Sequence, residues 1–170
     1  MTMKKIGETM TFNTADLCDQ FGEEVQIAHP HFRSFGGRER CFGKIRTIKL
    51  DEDNTDLVSM LRDEDGTGYV AVVDVSGAHC AVVGDNLMGF ARKNGWAGII
   101  INGYVRDTKI TQTIEVGLWA LGTYPLKSKK KSASERDIEL NFGGVTFTPG
   151  EYIYSDHDGI VIMKENVVDL

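Results

Sequence analysis

Tyr69-Val70-Ala71-Val72-Val73-Asp74-Val75, then Gly84-Asp85-Asn86-Leu87-Met88-Gly89-Phe90-Ala91-Arg92-Lys93-Asn94-Gly95, then Gly98-Ile99-Ile100-Ile101 are the runs that decide the fold. The first is a nearly unbroken β-branched stretch, the composition of a strand covered on both faces, and it predicts a central place in a parallel sheet. The second predicts a helix from about Asn86 to Lys93, with Leu87, Phe90 and Ala91 inward and a stop at Asn94-Gly95. The third predicts a second buried strand. Strand, loop, helix and strand within about thirty residues form a βαβ crossover, whose right-handed geometry brings both strand exits to one sheet edge. Loops at that edge share a pocket.

Outward from this unit, Thr14 to Phe21 predicts a short amphipathic helix capped by Asn13 or Thr14, with Leu17, Cys18 and Phe21 at helical spacing for packing on a sheet. After the turn-rich Phe35-Gly36-Gly37-Arg38, residues Gly43 to Leu50 alternate as a strand. Asn54 or Thr55 caps a helix carrying Leu57, Val58, Met60 and Leu61, which ends before Gly66. The last third, with Gly143 to Phe147, Glu151 to Tyr154 and Gly159 to Ile162, reads as β with tight turns. No internal repeat or interdomain linker is visible, so residues 1–170 are expected to form a single α/β domain.

The chain has 19 Lys and Arg against 25 Asp and Glu, a net charge of -6. That balance opposes a broad phosphate-binding surface and excludes bulk nucleic-acid binding as an expectation. The one basic run, Lys127, Lys129, Lys130 and Lys131 among serines, reads as a solvated loop. Cys18, Cys41 and Cys80 are odd in number and far apart, which gives neither a disulfide framework nor a CxxC zinc site and suits a reducing compartment. No secretory signal and no apolar run of about 20 residues is present. A cytoplasmic location without membrane attachment is the expectation.

The chemistry is expected where Gly84-Asp85-Asn86-Leu87 opens the helix, because free backbone N–H groups and the positive dipole end face an incoming carboxylate there. A plain helix cap by Asp85 is the competing account. The next strand delivers Arg106 and Asp107 to the same edge. Arg106 offers a planar fork for a carboxylate, and Asp107 a hard oxygen ligand of the kind Mg²⁺ or Mn²⁺ prefers. A surface ion pair between these two neighbours is the alternative. Asp156-His157-Asp158 reads as a hairpin turn, His29-Pro30-His31 as structural, and His79 as a loop residue near the pocket and a candidate for substrate contact.

Asp85, twenty intervening residues and then Arg106-Asp107 resemble the D-x20-R-D core of the class II 4-hydroxy-4-methyl-2-oxoglutarate aldolases. The likeness extends over Ala15-Asp16-Leu17-Cys18-Asp19, Phe35-Gly36-Gly37-Arg38, Asn94-Gly95-Trp96 and Asn141 to Phe147, segments shared with the ribonuclease-regulator (RraA-like) branch of the same superfamily. The resemblance implies a layered α/β/β swivelling-domain sandwich, homotrimeric, with pockets at subunit interfaces. It implies that Asp107 binds the divalent metal, Arg106 contacts pyruvate, backbone amides of Gly84, Asp85, Asn86 and Leu87 contact substrate, and Asp85 orients a metal-held water.

On that resemblance the expected activity is metal-dependent release of pyruvate from a 4-hydroxy-2-oxoacid, with decarboxylation of oxaloacetate as the less demanding reaction. The chain departs from the aldolase pattern at Ile110, where an acidic residue follows the metal aspartate by three places, and it ends at Leu170 without the C-terminal extension that carries a glutamate into a neighbouring pocket. The rival expectation is a non-catalytic regulator that binds ribonuclease E or its RNA helicases. A methyltransferase is not expected, since Val73-Asp74-Val75-Ser76-Gly77 lacks a glycine-rich cofactor loop.

Overall fold

The computed structural model describes residues 5–6, 9–129 and 134–168. β1 (Lys5–Ile6) and β2 (Thr9–Met10) pair antiparallel. Helix α1 (Thr14–Phe21) follows, and its Leu17 is buried against Tyr154, Val161 and Met163. Asn13 stands at the N-cap but its side chain makes no capping bond. Instead, the Thr14 N–H and hydroxyl donate to the Asp156 carboxylate at 2.8 and 2.7 Å. The expected local cap is thus replaced by a carboxylate 142 residues away.

A 3-10 turn (Gly22–Glu24) leads to β3 (Gln26–Ile27), β4 (Arg33–Ser34) and the long β5 (Cys41–Leu50). Next come α2 (Thr55–Asp63), β6 (Tyr69–Asp74), β7 (Ala81–Val83), α3 (Asp85–Lys93), β8 (Gly98–Val105), the short α4 (Thr108–Thr111) and β9 (Gly117–Thr123). The remainder is β10 (Ser134–Arg136), β11 (Leu140–Phe142), β12 (Val145–Phe147), β13 (Tyr152–Ser155) and β14 (Ile160–Met163). The main sheet runs β3-β14-β13-β5-β6-β8-β9-β4, with β10 on β5 and β7 on β8. Its centre, β5-β6-β8-β9, is parallel, and its flanks are antiparallel.

The unbroken apolar run of β6 is explained by what covers it. Ala71 and Val73 face α2 and α3, where they meet Leu57, Met60, Leu61, Met88 and Ala91. Val70 and Val72 point the other way, towards Phe142, Val145 and Phe147 of the β11-β12 hairpin. Alternate residues therefore serve two cores, and helices, main sheet and hairpin stack as α/β/β layers. Each buried valine or leucine contributes about 1.5 to 3 kcal/mol to this packing.

The crossover β6-α3-β8 is present with parallel register from Val70↔Gly98 to Asp74↔Asn102. Three details differ from expectation. Helix α3 starts one residue earlier, at Asp85, with Gly84 in the N-cap position. β8 runs on to Val105 because β7 and β9 continue its hydrogen bonding, with a register shift against β9 between Ile101 and Tyr104. β7 itself, three buried residues between the loop and Gly84, was not expected. Asp156-His157-Asp158 does form the turn between β13 and β14.

Candidate functional site

β7 ends at Val83 and hands Gly84 to the N-cap of α3, while β8 ends beside it at Val105 and hands over Arg106. The Arg106 N–H donates to the Val83 carbonyl at 3.0 Å, which sews the two exits together. Their loops line one cleft of about 510 Å³ that includes Gly84, Asp85, Asn86, Leu87, Arg106 and Asp107. All six residues expected from the sequence thus share a wall.

Asp107, at the N-cap of α4 where the chain turns out of β8, adopts a left-handed conformation, φ 58 and ψ 36. Asp tolerates this region better than most side chains. The turn aims its Oδ2 back at the start of α3, where the Asp85 N–H donates at 3.4 Å. Arg106 donates from Nη1 to the Pro125 carbonyl at 3.3 Å. No Arg106–Asp107 ion pair occurs among the described residues, so the two neighbours do not neutralise each other. Asp85 is the first helical residue rather than the cap, and its Oδ1 accepts from the Asn86 N–H at 2.9 Å. The competing account, in which Asp85 merely caps the helix, is corrected: Gly84 holds that position.

The sequence missed part of the wall. Leu126, Lys127, Ser128 and Lys129 line the same cleft. The Ala81 N–H donates to the Leu126 carbonyl at 2.7 Å, and the Ser128 N–H donates to the Ala81 carbonyl at 3.1 Å, so the segment is held against β7. Lys127 and Lys129 are exposed, as expected of a solvated loop, but their segment also lines the cleft, while Lys130 and Lys131 lie outside the described residues. Asn54, at the start of α2, also reaches the cleft and donates from Nδ2 to the Val82 carbonyl at 2.8 Å. His79 is not in the lining: it stacks on Tyr124 at 5.5 Å and meets Tyr104 edge-on. His29 and His31 contact each other's rings at 6.1 Å, and neither belongs to a group of three or more possible metal ligands among the described residues.

The donor chemistry suits one kind of cation. Among the described residues no group of three or more His, Cys, Asp or Glu is placed to hold a metal, so a closed protein cage is absent there. What the cleft offers is the exposed Asp107 carboxylate, whose one side-chain bond among the described residues is the long contact from the Asp85 N–H. A single hard oxygen donor with open space around it fits Mg²⁺ or Mn²⁺, which keep several waters. Beside it lies the first turn of α3, where the Asp85 N–H is held only by the long bond to Asp107 and the Asn86 N–H by the Asp85 carboxylate, and Arg106 adds a fixed positive charge. No helix among the described residues is long and apolar enough to cross a membrane.

The family described as RraA-like, Aldolase/RraA, matches residues 14–162. A protein of Aromatoleum aromaticum named "Putative 4-hydroxy-4-methyl-2-oxoglutarate aldolase" is 49% identical over 160 residues, covering 94% of this chain and 100% of the relative. A protein of the same name from Alkalilimnicola ehrlichii is 46% identical over 160 residues, with 94% and 99% covered. Among solved structures, one described as an S-adenosylmethionine:2-dimethylmenaquinone methyltransferase from Geobacillus kaustophilus superposes with a TM-score of 0.88 at 41% identity, over 92% of this chain and 97% of that one. The RNA-processing inhibitor RraA from Thermus thermophilis superposes at 0.86 with 38% identity, over 92% and 94%. With the matched stretch spanning most of its length and both site loops, the chain belongs to the RraA-like, Aldolase/RraA family.

Proposed function

We propose that the chain is a carbon–carbon lyase, a class II aldolase that cleaves 4-hydroxy-4-methyl-2-oxoglutarate or a related 4-hydroxy-2-oxoacid to pyruvate, and that also decarboxylates oxaloacetate. The observation that carries this reading is the convergence of the α3 N-terminus, Arg106 and Asp107 on one cleft. The names of the relatives at 44 to 49% identity support it.

In this reading the substrate's C1 carboxylate is received at the positive end of α3 by the Leu87 N–H and by the Asp85 N–H, which Asp107 holds only at 3.4 Å, while the Asn86 N–H stays on Asp85 Oδ1. Arg106, steadied by the Pro125 carbonyl, lies beside the 2-oxo group. Asp85 has Oδ1 engaged by Asn86 N–H, which leaves Oδ2 to take the proton of the 4-hydroxyl, directly or through one water. As that proton leaves, the C3–C4 bond breaks, C4 becomes a ketone, and the electron pair moves through C3 into the 2-oxo oxygen. Arg106 stabilises the charge that gathers there. Asp107 would hold a divalent cation, Mg²⁺ or Mn²⁺, whose Lewis acidity supplies further stabilisation of that oxygen. A proton returned to C3 completes pyruvate. Oxaloacetate loses carbon dioxide by the same flow of electrons and needs no base.

The homotrimer is part of the proposal. Ile110 and Leu126, 49% and 52% exposed, are two of the three large exposed apolar side chains among the described residues. Leu126 lines the cleft and Ile110 stands three residues beyond Asp107, which supports burial of this rim against a second copy. Light scattering of the purified protein tests it. The regulator reading, binding to ribonuclease E or an RNA helicase, is supported by the likeness to an RNA-processing inhibitor and by no feature of the cleft.

The test is an assay of purified protein with 4-hydroxy-4-methyl-2-oxoglutarate and with oxaloacetate, in Mg²⁺ or in EDTA, beside Asp107→Ala and Arg106→Ala. Turnover in Mg²⁺ that EDTA and either substitution abolish is the expected result. Equal rates in the wild type and both variants would remove the reading.

A further inference from the structure

His79 stays out of the cleft lining and belongs to a small aromatic stack beside it. Its imidazole lies 5.5 Å from the Tyr124 ring, centroid to centroid, at an interplanar angle of 23°. Tyr104 closes the cluster, meeting His79 edge-on at 5.8 Å and Tyr124 at 6.2 Å. At such separations aromatic rings attract beyond the area they bury. Three segments meet there: the turn ahead of β7, the end of β8 and the exit of β9.

The backbone under these rings is tied down except at one residue. On the turn, the Gly77 N–H donates to the Asn102 carbonyl at 3.1 Å, and the Ala78 N–H to the Val75 carbonyl at 3.1 Å. Tyr104 sits in β8, paired with Ala81 of β7 and with Gly122 of β9. Tyr124 follows the end of β9, and its N–H donates to the Val105 carbonyl at 3.0 Å. Next comes Pro125, exposed and without an N–H to donate, and its carbonyl is the one that receives Arg106 Nη1 at 3.3 Å. Backbone bonding resumes at Leu126, whose carbonyl accepts from the Ala81 N–H.

We infer that His79 is a positioning residue for Arg106: its ring holds Tyr124, and Tyr124 holds the corner from which the Pro125 carbonyl steers the guanidinium. Proline fixes its own φ, so the place of that carbonyl follows closely from the Tyr124 backbone. Rotamer and backbone are coupled, and a ring kept in one place restrains the residue that carries it. The inference rests on the reading of Arg106 as the group beside the 2-oxo oxygen and adds the residue that keeps it there. A histidine touching substrate would need its ring nitrogens, whereas a positioning ring needs only its flat face. Phenylalanine should therefore serve at position 79, and glutamine, of similar reach, should not. His79 is exposed, and one exposed stack accounts for about a 5-fold effect rather than an absolute one.

The first test needs no ligand. Nuclear magnetic resonance of the nitrogen-15-labelled chain gives the rate at which each guanidinium rotates about its Cζ–Nε bond, the Arg106 signal being identified by its loss in Arg106→Lys. In His79→Gln the Arg106 rate is expected to rise about 5-fold while Arg46 and Arg136, held in ion pairs, keep theirs. In His79→Phe all three rates should match the wild type. The second test is kinetic. In Mg²⁺, kcat/KM for oxaloacetate is expected to fall about 5-fold in His79→Gln, to recover in His79→Phe, and to fall no further when His79→Gln is added to Arg106→Lys. An Arg106 rotation rate that His79→Gln leaves unchanged would overturn the inference, as would His79→Phe behaving like His79→Gln, or a kinetic loss that persists in the Arg106→Lys background. If the rotation rates respond as expected and the wild type turns over neither oxaloacetate nor 4-hydroxy-4-methyl-2-oxoglutarate, the positioning stands and the aldolase reading falls.

Discussion

The Asp107 carboxylate occupies the space that a side chain at position 84 would need: a Cβ built on Gly84 lies 2.5 Å from Asp107 Oδ2. The backbone of Gly84, φ -139 and ψ -157, is open to any residue, so glycine is required here by crowding and not by conformation. Gly84→Ala should therefore push Asp107 away from the start of α3 while leaving the fold intact. The expected outcome is a fall in kcat/KM for pyruvate release of about 100-fold, with the melting temperature lowered by only a few degrees. Kinetics and a thermal melt on the same preparation check it.

Arg106→Lys keeps the charge and loses the planar fork. The guanidinium can bond Pro125 with one nitrogen and present the others to substrate, whereas an ammonium has one compact head. A loss in kcat/KM of about 100-fold is expected, with a far-ultraviolet spectrum like that of the wild type. A lysine variant at wild-type efficiency would show that position 106 supplies charge alone.

Asp156 tests the fold away from the site. It is 6% exposed, and its carboxylate takes hydrogen bonds from Thr14 N–H, Thr14 hydroxyl and Asp158 N–H. Asp156→Ala leaves three donors unpaired at the junction of α1 with the β13-β14 turn. A destabilisation of about 3 kcal/mol is expected in urea unfolding, with the proposed activity unaffected at low denaturant.

Alkaline pH should weaken the protein through Tyr154. Burial pushes its phenol up to about 12 from an ordinary value of 10.0, the Val167 N–H bond opposes the rise, and Tyr152 adds to it. The unfolded chain then loses the proton first, and it binds fewer protons than the native state between pH 10 and about 12. Stability is fully present below pH 10 and declines as pH rises through that window. Tyr154→Phe should start from a lower stability, having lost the bonds to Asn166 and Val167, but show a flatter decline. Urea midpoints measured across this range distinguish the two slopes.

The parts of this molecule that were legible from residues alone are those governed by local pattern. The β6-α3-β8 crossover follows from a β-branched run, a helical periodicity and a second apolar run, and its geometry brings residues 84 to 87 and 106 to 107 together. What escaped depends on partners distant in sequence. β7 is only three residues long, too short to show a period, and it exists because Ala81 and Val83 pair with Tyr104 and Val105. The 126–129 wall reads as a polar loop by composition, and only its bonds to Ala81 turn it into part of the cleft. The cap of α1 comes from the far end of the chain, which no local capping signal at Asn13 or Thr14 could indicate.

The left-handed backbone of Asp107 sets durability against reactivity at one position. Glycine would rest there more comfortably, by about 1 kcal/mol, because it has no Cβ to crowd the neighbouring carbonyl. A chain shaped for toughness alone would drop the carboxylate, and Asp107→Gly should yield a hardier protein that no longer releases pyruvate.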